Sequence, residues 1–205
     1  MIELKVLTQN FPCRTKDRLW YPEMKTAVQM MIRDGKSLKD IRDLSKAENI
    51  FNATSASRAS EISAVLSRRL SSVNEHFLQF FDNQNMETQL QLGIVLIMLS
   101  DRTFLRFMDL VYREKLIRND TKLQDSEYIA FFHDLQAEDA HAATWTDAGI
   151  KKVRDNYKAI LKEAGITSGL GVQREILRPI ITSKTKEFLR EEGLEMIYKI
   201  LAGER

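Results

Sequence analysis

An all-α, compact multi-helix globular fold with two helix-turn-helix units is what this 205-residue sequence predicts, on three observations. Only three prolines and eight glycines punctuate the chain. Between them apolar residues recur with a helical period over long stretches. Hydrophobic residues make up 43% of the chain, ample for a core at this length. The approximate boundaries within one compact chain are 1–80 for an N-terminal helix-turn-helix unit, 81–124 for central core helices, and 125–205 for a second such unit with a terminal helix.

The first 20 residues read as an extended arm anchored by Phe11, Leu19 and Trp20. Pro22 suits the opening of a helix to about Arg33, with Val28, Met31 and Ile32 inward and Asp34-Gly35 closing it. Ser37 caps SLKDIRDLSKAEN, whose apolar face is Leu38, Ile41 and Leu44. A short turn at 50–53 leads into a third helix, which completes the first helix-turn-helix. Helices follow at 74–82, 86–100 and 103–117, with Leu90, Ile94, Ile97, Met98, Phe104, Phe107, Met108 and Val111 as core. Asn119-Asp120 interrupts, and a helix at 125–136 turns Tyr128, Ile129 and Phe132 inward. Thr146 caps a helix to Glu163 that buries Ile150, Val153, Tyr157, Ile160 and Leu161 and exposes Lys151, Asp155, Lys158 and Lys162. The segment ITSGLGVQREILRPII suits a minor β wing near 172–182 or an irregular loop, before Ser183 caps a last helix to about residue 202.

The third helix, TSASRASEISAVLSRRLSSV at 54–73, is unusual in its surface. Ala59, Ile62, Val65, Leu66, Leu70 and Val73 share one flank. The other carries Ser57, Ser60, Glu61, Ala64, Ser67, Arg68 and Ser71, where long Lys or Glu side chains would favour the helix more. A marginal solvated helix explains this equally well as a helix whose short side chains admit a close approach, with hydroxyls and arginines for phosphates.

Composition excludes several function classes. Cys13 is the lone cysteine, so an internal disulfide and a cysteine-based zinc cluster are out, and a reducing cytoplasm fits. Arg14 and Lys16 beside Cys13 would favour a thiolate, yet no histidine partner is marked, so an unremarkable thiol is the better reading. The N-terminus lacks the apolar stretch of a secretory signal, and LQLGIVLIML at 90–99 is about half a bilayer span. No membrane contact is expected. The histidines and acids of HDLQAEDAH do not match metal-ligand spacing, there is no Walker sequence, and GLG at 169–171 is only a turn. No catalytic constellation, cofactor or metal site is expected.

Charge is uneven along the chain. Residues 1–80 hold 13 Lys+Arg against 9 Asp+Glu, residues 81–143 hold 6 against 11, and residues 144–205 hold 12 against 9. Basic ends around an acidic middle suit a polyanion touched by both ends. The candidate DNA contacts are Lys36, Lys39, Ser57, Arg58, Ser60, Arg68 and Arg69 at the first unit. At the second they are Lys151, Lys152, Arg154, Lys158, Arg174, Arg178 and Lys184. A lysine face solvated through intrahelical pairs such as Lys151 with Asp155 is the competing reading.

The run FLRFMDLVYREKLIRND, then LQDSEYIAFF, WTDAGIKKVR and ILKEAGI, resembles the BrxA family of bacteriophage exclusion (BREX) systems. So does the N-terminal order of YPEM, DGKSLKDI and the serine-rich helix ending in RRL; VYREKL is the most specific piece. The resemblance covers about residues 15–200. It implies a non-enzymatic, cytoplasmic, double-stranded DNA-binding protein that works beside a methyltransferase and ATPases in phage defence; a monomer is expected separately, because no sustained heptad suggests a coiled-coil dimer. The family has also been likened to an antitermination factor, which keeps RNA contacts open, as the acidic middle keeps open a protein-interaction scaffold. An inner-membrane label also used for the family conflicts with the short apolar run.

Overall fold

Side-chain caps explain where most helices begin. The computed structural model describes residues 1–169 and 171–205; Leu170, at the centre of the expected GLG turn, lies outside the described residues. Helix α1 (Tyr21–Arg33) has Pro22 in its first turn. Ser37 caps α2 (Leu38–Ala47) in a capping box with Asp40. Ser55, Asn74 and Asn85 accept the capping N–H of α3 (Ala56–Leu70), α4 (Glu75–Asp82) and α5 (Met86–Ser100). Asp101 caps α6 (Arg102–Phe107), which runs through a π turn (Met108–Arg113) into α7 (Glu114–Ile117). Helix α8 (Asp125–Glu138) follows, and Thr146 caps α9 (Asp147–Glu163). Thr182, one residue before the expected Ser183, caps α10 (Ser183–Glu191), and α11 (Glu195–Ala202) closes the order.

One buried apolar cluster runs from Ile2 to Leu201 and takes side chains from every helix. At its centre α5 buries Leu92 to Leu99 without a break. None of the described helices is long and apolar enough to cross a membrane. The arm expected at the N-terminus contains a 3-10 turn at Lys5–Thr8 and buries Val6, Phe11 and Leu19. Three elements hold its backbone. Arg69 of α3 donates to the Leu19 carbonyl at 2.8 Å, Thr103 of α6 to that of Pro12 at 2.8 Å, and Asn156 of α9 to that of Arg14 at 3.4 Å.

The β content is one small antiparallel sheet. Strands β1 (Lys122–Gln124), β2 (Thr167–Ser168) and β3 (Gln173–Ile176) lie in the order β1-β3-β2. Leu123 faces Arg174 and Thr167 faces Ile176 in the register. The strand expected near 172–182 occupies only 173–176, and 177–182 has no regular structure. Strand β1 was not expected; at three residues it is too short to show alternation.

Three other expectations shift. The last helix divides at Gly193, whose φ of 78° lets the chain reverse between α10 and α11. The π turn inserts an extra residue into the helical stripe, so Tyr112 is fully buried while Val111 is only partly covered. Ile129, expected inside, is 51% exposed, and Phe131 takes a core place beside Phe132. A helical stripe centred on Tyr128, Phe131, Phe132 and Leu135 leaves Ile129 on the outer face.

Gly203 ends α11 with φ at 71°, and a Cβ there would overlap the side chain of Leu116. Gly203→Ala is expected to lower the free energy of unfolding by about 2 kcal/mol through left-handed strain and overpacking. Urea denaturation checks this; a change under about 0.5 kcal/mol, the size of an ordinary surface substitution, would show that the terminal turn yields freely.

Candidate nucleic-acid interface

The serine-rich helix divides into two chemically different halves. Its expected apolar flank is inside, from Ala59 through Leu70, and Val73 packs against the cluster edge. Ser63 is also buried, as is Ser45 of α2, whose hydroxyl donates to the Ala59 carbonyl at 3.1 Å. Small side chains here allow α2 and α3 to approach closely, so part of the serine bias is internal packing. The remaining serines face outward.

Between α2 and α3 lies an open groove of about 580 Å³. Leu38, Arg42 and Lys46 form one wall, and Ser60, Ala64, Ser67 and Arg68 the other. Arg42 and Lys46 are exposed and have no carboxylate partner among the described residues. The Ser71 hydroxyl donates to the Arg68 carbonyl, while those of Ser60 and Ser67 make no hydrogen bond within the described residues. The groove thus offers two free cations and two free hydroxyls, the donor set suited to phosphate oxygens. Arg42 was missed in the sequence reading; the four-residue spacing Leu38-Arg42-Lys46 on one helical stripe was the signal for it.

The other expected contacts at this unit take different positions. Ser57 is exposed in the first turn of α3, and Lys36 is exposed and without a carboxylate partner among the described residues. Lys39 is exposed and pairs with Asp43 at 3.0 Å one turn on. The Arg58 guanidinium sits over the Trp20 ring, 4.4 Å from its centroid, and bonds Glu61 at 3.1 Å. Arg68 is paired with Asp17 while keeping 27% of its side chain exposed at the groove lip.

Arg69 is fully buried, and its guanidinium donates to the carbonyls of Leu19 at 2.8 Å and Arg18 at 2.6 Å. Asp17 is 3.8 Å away, and burial pulls the arginine down to about 10. It remains charged at neutral pH and secures the arm beneath the groove. Asp101 belongs to the same ionic cluster, with Arg14 at 3.7 Å. Burial raises its carboxyl to about 6, even though it accepts the Phe104 N–H. Cys13 lies near this cluster, and burial first, then Asp101, push its thiol up. The thiolate-promoting effect expected of Arg14 and Lys16 does not prevail.

The second unit divides similarly. Lys151 and Lys152 are exposed on the second turn of α9, and Arg154 is half-buried beside them. None of the three has a carboxylate partner among the described residues, and the expected Lys151–Asp155 pair does not form. Lys158, expected on the same exposed side, is only 9% exposed and bonds Asp125 at 2.7 Å. Arg174 on β3 meets the other oxygen of Asp125 at 3.1 Å. Asp125 therefore ties α9 to the sheet. Arg178 donates to the carbonyls of Leu116 at 2.8 Å and Ala202 at 2.9 Å, satisfying two helix ends. Lys184 is exposed near the Phe80 ring at 5.7 Å.

Internal partners thus hold Arg69, Lys158 and Arg174 largely off the accessible basic surface, while Arg178 stays exposed with its guanidinium committed to two backbone carbonyls. Sequence alone does not reveal this, because each partner is far away along the chain.

Comparison with known proteins covers most of the chain. The sequence profile of the BrxA family matches residues 14–193. A BREX protein BrxA from Bacillus cereus (strain H3081.97) is 30% identical over 186 residues, covering 91% of this chain and 92% of that protein. A crystal structure of an uncharacterized protein from Magnetospirillum magneticum superposes with a TM-score of 0.80 over 95% of this chain and all of that one, at 17% identity. That last likeness is one of fold.

Proposed function

The chain belongs to the BrxA family, and on that footing we propose that it is a non-enzymatic double-stranded DNA-binding component of a BREX phage-defence system. The observation that carries this reading is the order of the C-terminal unit. Strand β1, helices α8 and α9 and the β2–β3 hairpin follow one another, and β3 pairs with β1, which sets the hairpin beside α9. This order supports reading the unit as a winged helix-turn-helix, with α9 as the helix that would enter a major groove. Its early turns present Lys151 and Lys152, which form no ion pair among the described residues. The α2–α3 groove supplies a second contact through Arg42, Lys46, Arg68, Ser60 and Ser67.

Contacts of this kind go mainly to phosphates. Lysine and arginine release counterions, and hydroxyls fix the register of the backbone. The exposed α9 face has no Asn or Gln for bidentate adenine contacts, so binding discriminates weakly among sequences. The partners in this reading are the duplex and other components of the BREX system, methyltransferase and ATPases among them.

Anisotropy titrations with unrelated duplexes and a matched RNA, repeated across salt, test it. Submicromolar duplex affinity is expected, with a salt slope implying roughly four to eight phosphate contacts. Lys151→Glu with Lys152→Glu should weaken every duplex alike by about tenfold or more and reduce the slope by about two. Equal affinity of this double variant and the parent protein would refute a role for α9. Preference for RNA would favour the antitermination-like alternative.

A further inference from the structure

A second groove lies on the acidic middle of the chain, between the continuous α6–π–α7 helix and α8. It has a volume of about 360 Å³. Its apolar lining is Leu110, Val111, Phe131 and Leu135, with Ala130 leaving the floor open. Leu110 is 49% exposed and, with the partly covered Val111, gives the trough an apolar lip. The cause is the π turn, which carries Tyr112 inward and leaves Leu110 and Val111 on the groove side. Such turns are frequent at functional sites.

The rim has a definite sign. Glu114, Asp120, Glu127, Asp134 and Glu138 line it, against Arg106, Lys115 and Arg118. All three cations are already engaged, Arg106 with Glu138, Lys115 with Asp120 and Glu127, and Arg118 with Glu114. Five carboxylates against three cations leave a net charge of −2, and among the described residues Asp134 has only the neighbouring His133, 3.6 Å away. Helix α8 itself contains four acidic residues and no Lys or Arg. A polyanion is repelled here.

We infer that this groove docks a basic amphipathic helix of another protein, with aliphatic side chains seated on Leu110, Val111 and Phe131 and flanking lysines or arginines meeting Asp134, Glu138 and Glu127. Helix-in-groove recognition needs this combination of an apolar trough and a charged rim of opposite sign to the ligand. Electrostatic complementarity supplies the specificity and speed of encounter. The inference does not depend on DNA binding, since the groove shares no residue with the α2–α3 groove or with the exposed lysines of α9.

The test is a titration of a fluorescein-labelled leucine–lysine peptide of about 14 residues, with leucines along one helical face, against the full chain at physiological salt. Controls are a scrambled peptide of equal composition and a leucine–glutamate counterpart. Binding at roughly micromolar Kd is expected, at least about tenfold weaker for both controls. The variant Leu110→Lys with Asp134→Lys, both at exposed positions, should also lose about tenfold or more while its duplex affinity stays unchanged. Ala130→Arg, which fills the floor without removing any contact, should behave the same way. Equal peptide binding by parent and variants, equal binding of ordered and scrambled peptides, or no binding by about 100 μM overturns the proposal. So does a dimer of the parent protein that the double variant converts to monomer, because the occupant would then be a second copy of this chain.

Discussion

Arg69→Ala is expected to lower the free energy of unfolding by about 3–5 kcal/mol, the usual cost of removing one member of a buried charged network. The guanidinium is fully enclosed, and it satisfies the carbonyls of Arg18 and Leu19 while lying 3.8 Å from Asp17. Alanine would leave two carbonyls unpaired, strand part of the Asp17 charge, and open a cavity beneath α3. For a chain of this size the melting temperature should fall by roughly 6–20 °C. Urea denaturation gives the free energy directly; a loss below about 1 kcal/mol would mean that the arm is held by its apolar anchors alone. Reversing Arg68 and Arg69 together to glutamate therefore tests folding and not DNA contact. The exposed pairs Lys151/Lys152 and Arg42/Lys46 are the informative ones for binding.

Asp101→Asn is expected to change how stability responds to pH, by about 2.5 kcal/mol between pH 4 and pH 7. Burial raises the Asp101 carboxyl from the usual 3.8 to about 6. Between those values the folded chain holds a proton that the unfolded chain has released, so stability falls as pH rises through this window and the whole cost is present above pH 6. Asparagine cannot ionise, and its carbonyl oxygen can still accept the Phe104 N–H that caps α6. The variant should therefore gain stability relative to the parent protein as pH rises from 4 to 7. Urea titrations of both proteins at pH 4, 5.5 and 7 measure that difference. A constant difference would mean that Arg14, 3.7 Å away, compensates the buried carboxylate fully.

Helix positions were legible because capping residues and apolar periodicity are local. Ser37, Asn74, Asn85 and Thr146 sit where helices start, and the flank from Ala59 to Leu70 is buried as its spacing implies. Features depending on distant partners were not legible. Lys158 and Arg174 converge on Asp125, which is 33 residues before one and 49 before the other. Arg178 meets carbonyls 24 and 62 residues away. In the sequence these three cations differ in nothing from Lys151 and Lys152. The π turn was hidden for another reason, since a single added residue shifts the stripe from Val111 to Tyr112 without leaving a compositional mark.

The N-terminal arm has a consequence for how the chain reaches this structure. Its hydrogen bonds to Arg69, Thr103 and Asn156 join residues separated by 50, 91 and 142 positions. Each requires closing a long loop before any stabilisation is gained, so the arm raises the contact order of an otherwise locally connected helical protein. Its docking is expected to slow folding below the rate of a simple helix bundle and to couple the two basic units in one transition. Division of the chain near residue 80 would not release two independently folding pieces.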